Sequence, residues 1–315
     1  MSGIQAPNVS CNLDKASRKP TRFPLVRLEA LDNLWFQVSG TLCNIACEHC
    51  FISCSPTNHS FEFMTLEQVK GYLEESVRLG VKEYYFTGGE PFMNRQILDI
   101  LELTLQYGPA TVLTNGMLLR PRVVERLAEI EAQSIYSLEI RLSLDGYTEE
   151  MNDAIRGKGV FQKAMAGMKR LVEHGFLPII TVAKTWEDSE DEAVLEGFLN
   201  TLRAHGYQRP RIKILPSLRI GREAARSHGY EDYEYVSEEM MQGYDASNLI
   251  CANSRIATSK GVYVCPILIE ARDAWLGNTL SESAAVGYRL RHQACFTCYM
   301  FGSICSNFVS VGRNV

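Results

Sequence analysis

The feature that most constrains the fold is a regular alternation of two patterns across residues 34–217. Six short apolar runs, each typical of a strand buried on both faces, alternate with five amphipathic stretches typical of helices. The runs cover residues 34–38, 83–87, 111–114, 137–144, 179–183 and 211–215, and the helical stretches cover residues 66–79, 96–106, 121–132, 161–174 and 191–204. The alternation predicts an α/β fold in which right-handed crossovers roll six parallel strands into an open, partial (βα)6 TIM-like barrel.

Local signals support these helices. Thr65 stands where an N-cap is expected, and Gln68 three residues later completes a capping box. Gly80, Gly108 and Gly175 follow predicted helices, at positions where a C-terminal cap belongs.

The most distinctive loops all follow strands. A cysteine cluster follows the first strand, and Gly88-Gly89-Glu90-Pro91 follows the second. Asn115-Gly116 follows the third strand, and Asp145-Gly146 follows the fourth. Because function in such barrels collects beyond the C-terminal ends of the strands, the four loops are expected on one rim.

Cys43, Cys47 and Cys50 form a C-x3-C-x2-C cluster. Three thiolates this close together can bind three irons of a [4Fe–4S] cube and leave the fourth iron open to another ligand. The alternative is a zinc site completed by Cys54, but zinc sites usually pair two C-x2-C units. Cys54 could also replace one of the three as a ligand, but the first three cysteines already fill the pattern, so Cys54 is given no role.

The chain has ten cysteines and no export signal, since residues 1–25 are polar. Clustered cysteines in such a chain indicate metal binding rather than disulfides. Cys11 stands apart from both clusters, the second of which consists of Cys251, Cys265, Cys295, Cys298 and Cys305.

The cysteine cluster after strand 1, with the Gly-Gly-Glu-Pro loop after strand 2, resembles the radical S-adenosylmethionine (SAM) superfamily over residues 34–217. The resemblance implies that SAM binds the open iron through its amino group and carboxylate. It further implies cleavage of SAM to a 5′-deoxyadenosyl radical, which removes hydrogen from a substrate.

The same resemblance implies the SAM contacts. His49 stands where the family usually has an aromatic residue against adenine, and a ring there can stack. Gly88 and Gly89 allow close approach of the backbone to a ligand, and Glu90 can accept a charge-assisted hydrogen bond from the SAM amino group. The remaining predicted cofactor contacts are Asn115, Ser143, Asp145 and Arg156. For Asn115-Gly116 and Asp145-Gly146, simple turn chemistry remains an equal alternative.

The second cysteine group resembles the twitch form of the SPASM domain, which holds an auxiliary cluster. The predicted ligands of one auxiliary [4Fe–4S] cluster are Cys251, Cys265, Cys295 and Cys298, and Cys305 is an alternative ligand. Gly261 predicts a hairpin turn between the first two of these ligands. Zinc remains open as an alternative, because four thiolates also suit a tetrahedral ion.

These assignments predict four segments: an N-terminal extension at 1–33, a radical SAM partial barrel at 34–220, a linker at 221–244 and a small Cys-rich twitch-type domain at 245–315. The net charge of −5 and the lack of a basic run argue against nucleic-acid binding. No apolar run is long enough to span a membrane. A cytoplasmic location is expected.

The resemblance favours a small-molecule substrate, because only 33 residues precede the first strand and peptide-acting members often carry an N-terminal leader-binding domain. The alternatives are a peptide- or protein-modifying maturase and, from another class, a non-catalytic iron–sulfur electron carrier. A methyltransferase would need an acceptor Cys pair or a cobalamin domain, and neither is evident. A flavodoxin or ferredoxin is the expected reductant. Lys184, Lys213, Arg219 and Tyr263 are candidate substrate contacts, each with an ordinary structural role as the alternative.

Overall fold

The computed structural model describes residues 19–302 and 304–305. Nine described strands form one sheet in the order β10-β9-β8-β2-β3-β4-β5-β6-β7, and β1 pairs with β11 in a separate two-stranded sheet. The strands are β1 Leu25–Val26, β2 Asn33–Gln37, β3 Glu83–Thr87, β4 Ala110–Thr114, β5 Leu138–Ser143, β6 Ile179–Ala183, β7 Arg211–Leu215, β8 Ser254–Thr258, β9 Gly261–Tyr263, β10 Trp275–Gly277 and β11 Tyr288–Arg289.

Helices connect the strands of the barrel and also occur in the C-terminal region. They are α1 Leu66–Leu79, α2 Ile97–Thr104, α3 Pro121–Ala132, α4 Glu149–Arg156, α5 Val160–Glu173, α6 Asp191–Ala204, α7 Arg222–Ser227, α8 Ile250–Asn253, α9 Leu280–Ala284 and α10 Ala294–Phe301. Short 3-10 turns cover Pro91–Met93, Asp188–Glu190, Ala246–Asn248 and Arg272–Ala274. No described helix is long and apolar enough to cross a bilayer.

The predicted partial barrel is confirmed. Strands β2 to β7 pair in parallel with their neighbours in chain order. The capping box at the start of α1 is as predicted, because the Thr65 side chain accepts from the N–H of Gln68 and the Gln68 side chain accepts from the N–H of Thr65. Gly80 then ends α1 in a left-handed conformation with φ of 74°. The prediction for Gly108 is wrong, because α2 ends earlier, at Thr104, with Leu105 as its C-cap.

Two features were not predicted. Helix α4 lies between β5 and β6, where the sequence reading left a loop. In addition, β8 pairs in parallel with β2, from Asn33 opposite Ser254 to Phe36 opposite Ala257, so the Cys-rich C-terminal region extends the barrel sheet. The hairpin predicted at Gly261 is present, since Thr258 of β8 pairs with Gly261 of β9. The division into segments at 34, 220 and 245 stays a prediction.

The predicted extension and linker also contact the rest of the protein. β1, within the segment 1–33, pairs with β11 near the C-terminus. The segment 221–244 includes α7, and the backbone N–H of Arg222 donates to the carbonyl of Cys50 at 3.1 Å. Cys11 lies outside the described residues.

Apolar side chains form two cores on opposite faces of the sheet. The larger core fills the space between the sheet and helices α1, α2, α3, α5 and α6. The second core joins the inner face of the barrel, including Trp35 and Tyr85, to the C-terminal region and its cysteines. The inner face of the barrel therefore meets both cysteine groups.

Candidate active site

A cavity of about 250 Å³ opens at the C-terminal ends of the barrel strands. All three cysteines of the first cluster line it. The other predicted site residues in its lining are His49, Gly88, Gly89, Asn115, Ser143, Asp145 and Arg156. The four distinctive loops therefore do meet at one rim.

The loop that carries Cys43, Cys47 and Cys50 is fixed at several points. The N–H of Cys43 donates to the carbonyl of Ser55, and the N–H of Glu48 donates to the carbonyl of Ile155 at the end of α4. Burial raises the pKa of Cys43 to about 12, whereas hydrogen bonds from Cys54 lower the pKa of Cys50 to about 5. Loading a metal group would therefore release a proton from Cys43.

The two glycines of the second loop pack directly against this cysteine loop. A Cβ on Gly89 would lie 2.1 Å from the carbonyl oxygen of Leu42, and one on Gly88 would lie 2.1 Å from Oγ of Ser39. Gly88 also has a φ of 144°, which favours glycine. The glycines thus bring the second loop against the backbone that carries Cys43.

Glu90 does not line the cavity, and its carboxylate is buried behind the rim. It accepts hydrogen bonds from Oγ1 of Thr114 at 2.7 Å, the N–H of Asn115 at 2.8 Å and the N–H of Phe92 at 3.1 Å. Burial raises its pKa to about 7. In this structure Glu90 positions the Asn115 loop, and Asn115 in turn donates from its amide to Oδ1 of Asn44 at 2.8 Å.

Asp145, His49 and Arg156 form one buried ionic group at the rim. Oδ2 of Asp145 lies 2.6 Å from Nε2 of His49 and 2.5 Å from Nε of Arg156. Oδ1 accepts from the N–H of Ala183 at 3.0 Å. Burial alone would raise the pKa of Asp145, but the charges of Arg156 and His49 hold it well below its usual range. This contact orients the His49 ring, whose Nδ1 is buried with no partner among the described residues.

The first site fits a cluster with SAM bound to it. Three thiols, a ring nitrogen without a partner in the described chain and two glycines in close contact with the cysteine backbone all lie at one cavity. Soft thiolate ligands are those that iron–sulfur clusters use. The donor set and the open cavity therefore suit both predicted cofactors.

The second cysteine group also meets at one place. Cys251 on α8, Cys265 after β9, and Cys295 and Cys298 on α10 line a single small apolar cavity. Burial raises the pKa of all four thiols, to about 12 for Cys251 and about 11 for Cys265.

Tyr288 lines this cavity too, and its hydroxyl is buried with no partner among the described residues. Four thiols and a hydroxyl without a hydrogen-bond partner, all in an apolar cavity, suit an iron–sulfur cluster whose four irons are each bound by a protein thiolate. Within the described parts of the chain, no three His, Cys, Asp or Glu side chains lie close enough to hold a single metal ion.

Cys305, the alternative auxiliary ligand, lines the larger cavity rather than the small one. The predicted substrate contacts lie elsewhere. Lys184 pairs with Asp188 and Asp191, and Arg219 pairs with Glu234. Lys213 is on β7 outside the described cavity lining, and Tyr263 packs edge-on against Phe61 in the second core.

The sequence reading missed several residues of this site. Trp35, Arg141 and Thr181 line the cavity on β2, β5 and β6. For Arg141 the sequence carries a signal, a period of two: Glu139, Arg141 and Ser143 alternate with apolar residues on β5, as expected when one strand face meets a polar space. Arg222 contacts the carbonyl of Cys54 from the predicted linker.

Comparison with known proteins agrees with this geometry. The profile of the Radical SAM superfamily matches residues 38–196, which is half of the chain. The chain belongs to the radical SAM superfamily. Members of this superfamily use a [4Fe–4S] cluster and SAM.

Curated relatives are similar over part of this radical SAM chain. A mycofactocin maturase, MftC, from Mycobacterium tuberculosis (strain CDC 1551 / Oshkosh) is 29% identical over 226 residues, which cover 70% of this chain and 52% of that protein. An AdoMet-dependent heme synthase from Methanosarcina barkeri is 30% identical over 144 residues, or 45% of this chain and 39% of that protein. The chain spans about half the length, or less, of these relatives.

Solved structures share the fold. Native anSMEcpe with bound AdoMet superposes with a TM-score of 0.58 at 17% identity, covering 80% of this chain and 79% of that one. Streptococcus suis SuiB bound to S-adenosylmethionine superposes with a TM-score of 0.58 at 15% identity, covering 87% and 66%. At these identities the likeness shows the radical SAM fold alone.

Proposed function

We propose that this chain cleaves SAM reductively and uses the resulting 5′-deoxyadenosyl radical to remove hydrogen from a substrate. The observation that carries the proposal is the meeting of Cys43, Cys47 and Cys50 with the predicted SAM contacts at one cavity. When bound, the reduced cluster supplies the electron that breaks the sulfonium bond of SAM. A flavodoxin or ferredoxin is the proposed source of that electron, and the cytoplasm is the proposed location.

The chain's own residues would bind and orient SAM. The Gly88-Gly89 loop packs against the backbone at Leu42 and Cys43 and would face the methionine part of SAM. His49, oriented by Asp145, would stack on adenine. Arg156 keeps Asp145 ionised, and Ser143 offers a hydroxyl at the end of β5.

We further propose that Cys251, Cys265, Cys295 and Cys298 hold an auxiliary [4Fe–4S] cluster that assists electron transfer. Four protein thiolates would leave no iron open to substrate. Its potential would depend on burial and on hydrogen bonds to sulfur. The Tyr288 hydroxyl, which lines the same cavity and has no partner among the described residues, is the candidate donor.

A small molecule is the first proposed substrate, in keeping with oxidoreductase-like or natural-product chemistry. A peptide is the second candidate, and a specific observation favours it. A groove of about 790 Å³ lies beside the cavity and shares Phe51 with it, which offers room for an extended chain. Streptococcus suis SuiB, of similar fold, has been solved bound to its precursor peptide SuiA.

The decisive experiment is anaerobic reconstitution with iron counting and measurement of 5′-deoxyadenosine. We expect about eight irons per chain in the wild type and about four in Cys47→Ala, which also loses 5′-deoxyadenosine production. Cys54→Ala is the matched control, because it removes a thiol from the same loop but should keep the iron content.

Other outcomes would redirect the proposal. About four irons in the wild type would remove the auxiliary cluster. Full iron without SAM cleavage would favour the electron carrier, and cleavage by Cys47→Ala would show that the site is misassigned.

A further inference from the structure

A buried arginine lies beside the second cysteine group. Arg255 is on β8, four residues after Cys251, and only 1% of it is exposed. It lines neither the cavity of the first cysteine cluster nor the small cavity of the second. Nothing in the proposed reaction uses it, although it is among the largest fully buried side chains of the described chain.

The hydrogen bonds of the Arg255 guanidinium all go to backbone carbonyls within the described chain. Nη1 donates to the carbonyls of Cys251 and Ser254, each at 2.8 Å. Nε donates to the carbonyl of Ser283 at 3.3 Å, and Nη2 donates to that of Val286 at 3.4 Å. These contacts fix the guanidinium against the segment that carries Cys251. A carbonyl group has no net charge, however, so they leave the charge of Arg255 without a counter-charge.

No carboxylate in the described parts of the chain supplies that counter-charge. Burial lowers the pKa of Arg255 to about 10, and the only described groups that oppose this shift are the thiols of Cys251 and Cys265. A buried cation is costly unless an anion offsets it, and buried charges in native proteins are paired or lie at metal sites. The auxiliary cysteines are therefore the source of negative charge closest to Arg255.

A loaded auxiliary site would provide the missing negative charge. Iron binds cysteine as the thiolate, so the loaded site would carry four ionised sulfurs. Reduction of a cluster adds one further negative charge. A fixed cation close by in a medium of low dielectric constant stabilises the reduced form more than the oxidised form.

We propose that Arg255 is the counter-charge of the auxiliary cluster and raises its reduction potential. Arg255 is a positioning residue in this proposal, because its charge acts through space and its side chain lines neither cavity. The inference rests on the proposed auxiliary cluster and goes beyond it, since it assigns part of the control of that cluster's potential to one side chain.

Redox titration of the reconstituted holoenzyme, followed by electron paramagnetic resonance, tests the inference. The auxiliary signal is the one that SAM leaves unchanged and that persists in Cys47→Ala. In Arg255→Gln we expect the equilibrium constant for one-electron reduction of this cluster to fall at least tenfold, which lowers the midpoint potential by about 59 mV. The iron content should stay at about eight per chain, which shows that neither cluster is lost.

Two further variants separate charge from structure. Arg255→Lys keeps the positive charge but loses the planar set of donors, so its reduction constant should stay within about threefold of the wild-type value. Arg289→Gln is the matched control. Arg289 also donates to a backbone carbonyl, that of Phe23 at 2.9 Å, but its side chain is exposed and water screens its charge, so the potential should not change. A purely structural role of Arg255 would not move the potential or let lysine restore it.

Three results would overturn the inference: an unchanged potential in fully loaded Arg255→Gln, an equal fall in Arg255→Lys, or an equal fall in Arg289→Gln. If Arg255→Gln does not fold or load, Arg255→Met is the second neutral variant and is titrated in its place. If neither loads, Arg255→Lys decides, because a tenfold fall there contradicts a role of charge and an unchanged potential supports it. About four irons in the wild type would refute the auxiliary cluster itself, so failure of the proposed function is seen separately, in the iron count.

Discussion

At the scale of single residues, two buried carboxyl groups of the site have opposite electrostatic environments. Glu90 is 0% exposed and has hydrogen-bond donors around it but no close ion pair within the described chain, so burial dominates and raises its pKa from 4.5 to about 7. Asp145 is also buried, but Arg156 and His49 reverse the effect of burial and lower its pKa from 3.8. The two groups therefore make stability depend on pH in different windows.

The folded protein should lose stability between pH 4.5 and 7 because of Glu90. Its folded pKa lies above its unfolded value, so the folded state binds more protons in this window and unfolding becomes easier as pH rises. A shift of this size corresponds to about 3 kcal/mol. Asp145 acts oppositely, since the stability it contributes is complete above pH 4 and is lost as pH falls.

Urea unfolding of the cluster-free protein at a series of pH values would measure both effects. Glu90→Gln should remove the decline between pH 4.5 and 7, although it also loses the hydrogen bond from the Asn115 N–H at every pH. Asp145→Asn should keep that decline and should be less stable overall at neutral pH, because Arg156 would remain buried without its ion pair. Parallel pH curves for the wild type and Glu90→Gln would refute the assignment to Glu90.

At the scale of elements, the contact between the Gly88-Gly89 loop and the cysteine loop predicts a sharp difference between two glycines. In Gly89→Ala the new methyl group would collide with the backbone of Leu42, so we expect a loss of about 1–3 kcal/mol and poorer iron incorporation. Gly71 lies within α1 and a Cβ there meets nothing within 4 Å, so Gly71→Ala should stabilise by up to about 1 kcal/mol.

Urea unfolding and iron content of the two variants provide the comparison. They share the same chemical change, so any difference reports the surroundings of each glycine. Gly89→Ala with unchanged stability and iron content would mean that the two loops are not in tight contact.

The elements that the sequence predicted are those with strong local signals. α1, α3 and α6, and β3, β6 and β7, have the predicted bounds, because their apolar periods and end signals are all local. α4 was missed because it has only eight residues, although Thr148 and the acidic residues Glu149 and Glu150 mark its start.

The pairing of β8 with β2 joins residues that are far apart in the chain and leaves no local signal. Within the site, motif spacing located the cysteines and the glycines. The Asp145 network could not be predicted, because it depends on which side chains the barrel brings together.

At the scale of the whole molecule, one sheet connects the two cysteine groups. β8 covers an edge of β2, the strand that leads into the Cys43 loop. The second core packs Trp35 and Tyr85 of the barrel with Ile256, Val264 and other C-terminal side chains. The C-terminal region therefore supplies barrel structure as well as the second set of thiols.

A fragment of residues 1–244 should consequently not fold as a stable monomer. Removing β8 would expose the backbone edge of β2, and removing the C-terminal side chains would expose the apolar inner face of the barrel. We expect aggregation on size-exclusion chromatography and no cooperative unfolding by circular dichroism.

The full chain with Cys251→Ala and Cys298→Ala is the matched control, since it lacks two auxiliary ligands but keeps the sheet. It should remain a folded protein, which would separate the contribution of the sheet from that of the auxiliary cluster. If the fragment were instead monomeric and unfolded cooperatively, the barrel would be an independent domain, as the segment boundaries read from the sequence predict. Collapse of both proteins would mean that the auxiliary cluster, rather than the β2–β8 pairing, holds the C-terminal region in place.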